Sequence, residues 1–346
     1  MLLRDWRPRV RLVTTETSVT RPRYPVIDCH NHLDTDFGGG WIDRPLNQMH
    51  EAMDAAGVTH LIDLDGGWGE AVLRRHLEKL AGSSRFRVFG GIDWNRWPEL
   101  GDGFPEYACR RLETQRSWGA SGLKVWKPFG LQVRDERGSL VAVDDARLAI
   151  VWETAGRLGW PVLIHVADPV AFFDPIDETN ERWDELSRHP EFAFASPPYP
   201  SFLAILEAFK RLVARHPSTV FVGAHVGCYA ENLAWVAGML DSCPNYFIDL
   251  SGRMGELGRQ PYSARDFLIK YSTRILFGLD TGIDVAGYRL WYRFLETADE
   301  CFNYCVTDQP MQGRWPVHAL SLPEEVLHRL YRDNAARVLG FTVEKA

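Results

Sequence analysis

The chain has 346 residues, of which 45% are hydrophobic, 25% charged and 12% aromatic, and its formal net charge is −7. That length can bury one large α/β core, and the acidic balance argues against nonspecific nucleic-acid binding, which needs a basic surface. No apolar stretch approaches the roughly 18 residues of a membrane span, and six scattered cysteines lack the density of a disulfide scaffold, which fits a reducing cytoplasm.

Residues 1–25 are basic and contain Ser and Thr but no continuous apolar core of the signal-peptide kind. They read as an arm that covers the bottom of the following domain or a neighbouring subunit. From residue 26 to residue 340, apolar β-branched runs alternate with amphipathic stretches, the pattern of βα units. Strands are predicted at 26–30, 58–64, 86–92, 122–126, 161–166, 220–224, 246–250 and 275–279. Helices are predicted at 46–56, 69–81, 107–118, 145–158, 202–215, 231–240 and 264–271. A final helix at 323–339 has Pro323 at its start and Gly340 past its end, the favoured places for both. Eight strands is the barrel number. No repeat or low-complexity linker interrupts the pattern, so 26–340 predicts one α/β domain, a (β/α)8 barrel with long loops at its catalytic face.

In such a barrel, side chains at the C-terminal ends of the strands converge. The first strand ends in His30-Asn31-His32. Alternate residues of a strand share a face, so both imidazoles can reach one cation while Cys29 and Asn31 face away. The same grammar returns in Pro161-Val-Leu-Ile-His165, in Val220-Phe-Val-Gly-Ala-His225 and in Arg274-Ile-Leu-Phe-Gly-Leu-Asp280. One such histidine alone would more often bond a loop carbonyl. Five ligand-type residues in register at strand ends predict a metal centre, because imidazole and carboxylate are the ligands of zinc and its neighbours. Zinc is the expected ion, with manganese as the alternative.

These motifs, together with the closing run Tyr331-Arg-Asp-Asn-Ala-Ala-Arg-Val-Leu339, resemble the amidohydrolase superfamily over 26–340. The details look like its amidohydrolase-2 branch, which includes aminocarboxymuconate semialdehyde decarboxylase and related hydrolases. The resemblance implies a distorted (β/α)8 TIM barrel holding a divalent metal through His30, His32, His165 and Asp280. It implies for His225 either second-metal ligation or proton handling. In binuclear relatives a carboxylated lysine from strand four bridges two metals, and Lys124 lies on that strand. Leu123 and Val125 suit the helix-facing side, which turns Lys124 and Trp126 inward. Because the branch is usually mononuclear, Lys124 is expected as an uncarboxylated ammonium paired with Asp63, Asp65 or Asp249, since a buried lone ammonium is too costly. Lys127 has the opposite parity and reads as a loop cation.

A divalent cation lowers the pKa of bound water toward neutrality, with Asp280 placed to accept its proton and His225 to polarise a carbonyl or steady an oxyanion. The leading expectation is therefore a metal-dependent hydrolase of a small carboxylated, cyclic or carbohydrate-derived ester, lactone or amide. The same parts serve non-oxidative decarboxylation, the alternative. A noncatalytic metal-binding barrel is a third reading, opposed by the coexistence of ligands and a proton shuttle. Arg253 shares parity with Phe247, Asp249 and Ser251, and with Trp126 and Lys124 it is expected to bind substrate; a surface or interface salt bridge is its other reading. Three segments exceed the about 2 to 6 residues of an ordinary βα loop. They are 129–143, a charged hairpin; 167–200, with Phe172, Phe173 and Trp183; and 281–322, with Trp291, Tyr292, Phe302, Tyr304 and Trp315. Their aromatics fit a lid over an organic ring or sugar, or equally a contact between copies of the chain. Cys301 and Cys305 read as packed thiols.

Overall fold

The protein is described by a computed structural model covering residues 10–34, 38–305 and 312–342. All eight expected strands form: β1 Val26–Asn31, β2 Val58–Asp63, β3 Phe86–Val88, β4 Leu123–Val125, β5 Val162–Ile164, β6 Phe221–Gly223, β7 Tyr246–Asp249 and β8 Ile275–Leu276. They run parallel in chain order, as one sheet of β1 to β3 and a second of β4 to β8. Backbone hydrogen bonds close both seams. The Lys124 N–H donates to Gly90 O at 2.8 Å, the Cys29 N–H to Phe277 O at 2.9 Å, and the Asp280 N–H to His30 O at 2.8 Å. The result is a closed (β/α)8 barrel.

Around it lie α1 Leu46–Ala56, α2 Glu70–Leu80, α3 Phe104–Trp118, α4 Ala149–Arg157, α5 Phe202–Arg215, α6 Leu233–Ser242, α7 Pro261–Lys270, α8 Val285–Glu296, α9 Glu324–His328 and α10 Asn334–Leu339. Helix α1 shows why the sequence dictates them. Met49, Met53 and Ala56 recur at helical spacing and are buried, and Gly57 ends the helix in the left-handed conformation with its N–H on Asp54 O. A side chain at Gly57 would also strike Pro22. Helix α9 follows Pro323, and α10 ends at Gly340 with φ of 69°, as expected. Between them Arg329–Asp333 widens into a π-helical turn that the sequence did not announce.

Helix α8 corrects the reading of 281–322 as one long loop. Asp284 caps it by accepting the Ala286 N–H at 3.0 Å, and Tyr288, Trp291, Tyr292 and Leu295 line its buried stripe. Trp291 and Tyr292 therefore belong to the barrel wall and not to a lid: the Tyr292 hydroxyl donates to Ala56 O at the end of α1, at 2.8 Å. The 129–143 hairpin is present, with Arg134 bridged to Leu140 and Asp135 accepting the Arg137 and Ser139 N–H groups. Cys301 and Cys305 are half-buried in irregular chain.

The core has two layers. Ile27, Cys29, Ile62, Leu163, Val222, Phe247 and Leu276 fill the barrel, and Ala335, Ala336, Leu339 and Phe341 close its floor. A larger cluster, including Leu61, Leu123, Val125 and Ile164, packs between strands and helices. Leu123 and Val125 face outward as expected, so Lys124 joins Leu163, Val222 and Phe247, its partners around the sheet, on the inside. Cys29 departs from expectation, because it packs inside the barrel. A register shift between Asp28 and Asn31 breaks strict alternation, so that Cys29 and His30 both turn inward while Asn31 bonds outward to the Tyr288 hydroxyl.

The arm lies along α8. Thr17 donates from its N–H and its hydroxyl to Asp299, both at 2.7 Å, and Arg23 pairs with Glu324 at 3.0 Å. Residues 1–9 of the arm lie outside the described residues. Among the described residues, no helix is long and apolar enough to cross a membrane.

Candidate metal centre

The bulge that brings His30 inward starts the site. Nδ1 of His30 is 2.9 Å from Asp249 Oδ2 at the end of β7, and Nδ1 of His32 is 2.7 Å from Asp65 Oδ1 just beyond β2. All four side chains are buried. A carboxylate on Nδ1 fixes the proton there and leaves Nε2 as a lone-pair donor, the arrangement that orients metal-binding imidazoles. Both Nε2 atoms converge on one oxygen, Asp280 Oδ1, at 3.1 Å from His30 and 3.3 Å from His32. These three donor atoms lie within 4.8 Å of one another. Asp280 reaches them from the end of β8 with a left-handed φ of 67°, which is uncommon for a residue with a side chain.

Electrostatics follow the geometry. Burial opposes a charge on His32, but Asp280 and Asp65 outweigh it and raise its pKa to about 9. Burial likewise opposes ionisation of Asp280, yet the charge of His30 and the hydrogen bonds from His30 and His32 hold its carboxyl well below the usual range. Two imidazole nitrogens and a carboxylate oxygen, each imidazole backed by its own buried carboxylate, fit a divalent cation.

His225 stands beside this group. It accepts φ of 58°, its N–H donates to Asp249 Oδ1 at 3.0 Å, and its Nδ1 lies 2.9 Å from Ser251 O. Its Nε2 is 3.8 Å from Asp280 Oδ2. Burial pushes its pKa well below the ordinary value despite Asp280, so the ring is neutral near pH 7. Gly252, beside Asp280 and His225, turns the chain at φ of 66°, a conformation that residues with side chains rarely adopt.

His165 lies outside the close group. Its ring packs edge-on against His225 with centroids 4.5 Å apart, and its Nε2 is 3.4 Å from Asp168 Oδ1. Asp168 is in turn 2.5 Å from the ammonium of Lys127, so the expected loop cation anchors the partner of a site histidine. Burial lowers the His165 pKa to about 4.

Lys124 is buried and points inward, with Nζ 3.2 Å from His30 Nε2 and 4.5 Å from the centre of the Trp126 ring. Its expected ion pairs do not form. Asp63 is taken by His76, Asp65 by His32 and Asp249 by His30, and a carboxylate bonded to an imidazole leaves the ammonium only its longer-range field. Burial, opposed by Asp280 and Asp249, lowers the Lys124 pKa to about 8. Trp126 packs against His32 at a tilt of 31°, ring centres 5.4 Å apart. Arg253 is buried at the turn after β7, and its guanidinium donates to Gly252 O at 3.1 Å. Among the described residues it has no carboxylate partner within salt-bridge distance, which removes the surface salt-bridge reading.

The aromatic segments are tied down over this rim. Arg182 and Glu256 form a fully buried pair, Arg259 bonds Glu181 at 2.8 Å, and Arg314 bonds Asp184 at 2.6 Å. The segment after β5 is thus stitched to those after β7 and β8. Sequence reasoning missed Asp168, Ser251 and these pairs. The one available signal was an acid placed at or just past a strand end, as in Asp249, Asp65 and Asp168.

The sequence profile described as amidohydrolase, Amidohydro_2, matches residues 27–341. The chain belongs to this family. No curated protein matches this chain in sequence. Among solved structures, 2,6-dihydroxybenzoate decarboxylase complexed with 2,6-dihydroxybenzoate is similar at 17% identity, covering 92% of this chain and 99% of that one, with a TM-score of 0.57. A dihydroxybenzoic acid decarboxylase from Polaromonas sp. JS666, with bound manganese and the inhibitor 2-nitroresorcinol, is similar at 16% identity over 92% and 97% of the two chains, TM-score 0.56. An amidohydrolase from Burkholderia multivorans with bound zinc is similar at 17% identity over 91% and 99%, TM-score 0.51. At these identities the likeness establishes the barrel fold.

Proposed function

We propose that this amidohydrolase-family enzyme is a metal-dependent, non-oxidative decarboxylase of a small hydroxylated aromatic acid. The observation that carries the reading is Arg253, a buried guanidinium beside His225 with no carboxylate of its own among the described residues. A buried cation needs a counter-charge, and a substrate carboxylate would supply it in a bidentate geometry. Lys124, a second buried cation against His30, adds to the preference for an anionic substrate. Hydrolysis of a neutral ester, lactone or amide gives neither group a partner. The decarboxylases among the similar structures agree with this choice in fold and in the acids that they act on.

In this reading His30, His32 and Asp280 hold the cation, with His165 as the further ligand. When bound, the cation supplies positive charge that orients the acid and offsets its negative charge. Zinc and manganese both suit the donors. Arg253 and Lys124 grip the substrate, and Trp126 walls its ring. The bond from ring carbon to carboxylate breaks and carbon dioxide leaves. The electron pair left on the ring carbon takes one proton, delivered through the Asp280 and His225 pair.

The test is turnover of 2,6-dihydroxybenzoate and related hydroxybenzoates in D2O, with carbon dioxide measured. We expect one deuterium at the carbon that loses the carboxylate, and no reaction after chelation. Arg253→Met should raise KM for the acid more than it lowers kcat. Opening of lactones or esters without carbon dioxide from any hydroxybenzoate would return the assignment to hydrolase.

A further inference from the structure

We propose that the cleft between the exits of β2, β3 and β4 is an accessory site for a small neutral aromatic molecule of the phenol class, separate from the metal centre. The cleft has a volume of about 550 Å³ and is lined by Trp68, Trp94, Trp126, Ile92 and Val133. Trp68 is the unusual member: a large ring 56% exposed at the rim. It is not loose. Its face stacks on Trp126 at 3.9 Å and 21°, and its Nε1 donates to Asp65 Oδ1 at 3.2 Å, the oxygen that also holds His32 Nδ1. A rigid aromatic ring with an open face is a preformed stacking platform, and little entropy is lost when a flat ligand settles on it.

The polar residues around the cleft decide the ligand's chemistry. Arg111 is paired with Glu70 at 2.8 Å and Arg96 with Glu99 at 2.9 Å. Asp93 accepts the Asn95 N–H at 3.2 Å, and the Gln115 amide donates to Gly91 O at 2.8 Å. Both arginines are paired, and Glu70 and Asp93 balance Arg96 and Arg111 in sign, so the cleft has no net charge to attract an ion. A sugar needs many hydrogen-bonding groups, and here the arginines, Asp93 and the Gln115 Nε2 are already engaged, which leaves Trp126 Nε1 and Gln115 Oε1 without a partner. A ring with a π face and one hydroxyl asks for the least and gains the most from the two tryptophans. Trp126 stands between the cleft and the metal centre, so a ligand here stacks outward of the wall that His32 touches. The inference does not depend on the decarboxylase reading.

The experiment is titration of the full chain with phenol, followed by calorimetry and tryptophan fluorescence, with cyclohexanol and methyl glucoside as comparisons. We expect saturable phenol binding that His30→Ala leaves within about threefold, that Trp68→Phe leaves within about threefold, and that Trp68→Ala weakens by about tenfold or more, the scale of one lost stacking partner. Asn95→Trp, which fills the cleft from its exposed rim without touching the core, should block binding as well and covers the case in which Trp68→Ala does not fold. Cyclohexanol should bind about tenfold more weakly than phenol, because it lacks the π face. Phenol binding that survives both Trp68→Ala and Asn95→Trp, or that disappears in His30→Ala, would place the ligand at the metal centre and overturn the proposal. Tighter binding of methyl glucoside than of phenol would overturn the ligand class.

Discussion

His30 and His32 on one side of the site and His165 and His225 on the other come from the same sequence grammar, an apolar strand ending in histidine, yet they occupy opposite electrostatic settings. The first pair is backed by buried carboxylates at Nδ1, and His32 is lifted to about 9. In the second pair, His225 rests on a backbone carbonyl and both rings are pushed down by burial, His165 to about 4. A carboxylate behind an imidazole stabilises positive charge in front of it, which is what a cation needs. A carbonyl in a dry pocket keeps the ring neutral and able to pass a proton. For His30, His32 and His225 the partner at Nδ1, more than the histidine itself, divides the roles; His165, kept neutral by burial, retains a lone pair for the cation.

Removing a member of the first pair should have the largest effect. His30→Ala is expected to abolish nearly all metal binding, read by elemental analysis of the purified variant; full occupancy would erase the contrast between the pairs. Next comes His225→Asn, expected to keep its metal and lose turnover by about 100-fold or more, the scale of a lost general acid or base. If metal and activity vanish together, His225 is a ligand as His165 is, and its separate role is lost. Asp65→Asn sharpens the comparison from behind, since it takes away only the charge at Nδ1 of His32. Metal affinity should fall by about 10 to 100-fold in a competitive chelator titration, and an unchanged affinity would deny the carboxylate its role. Lys127→Met should do least. The Lys127 ammonium is partly exposed although Asp168 is buried, and a partly exposed pair is worth about 0 to 1 kcal/mol, so metal affinity and kcat should shift by no more than about fivefold, and a larger loss would show that His165 depends on this pair as His32 does on Asp65.

Much of this was legible in the chain. Eight strands and five strand-end ligand candidates follow from a period of two and from apolar runs bounded by helical ones, and the parity of Leu123, Lys124 and Val125 put the lysine inside. Parity tells which face a residue takes, but not which neighbour it meets there. Asp65 and Asp249 were therefore read as partners of Lys124, where folding gives them to His32 and His30. The bulge at β1 has no local signature, so Cys29 was turned the wrong way. Helix α8 hid inside a segment whose aromatics resembled a lid, although its cap at Asp284 was there to be read. The buried pair of Arg182 and Glu256 joins residues 74 positions apart, a distance over which no spacing rule speaks.

The seam between β8 and β1 carries a consequence for how the protein is made. His30 and His32 are translated early and Asp280 late, and the inner core gains its floor only from residues 335–341. During vectorial synthesis the nascent chain must hold β1 to β7, an incomplete sheet with open edges, until almost every residue has emerged. The three donor atoms of the candidate site cannot come together before that moment, so on the proposed reading metal capture is a late event in biogenesis, and a chain truncated before β8 would leave the ribosome with its two histidines aligned and nothing opposite them.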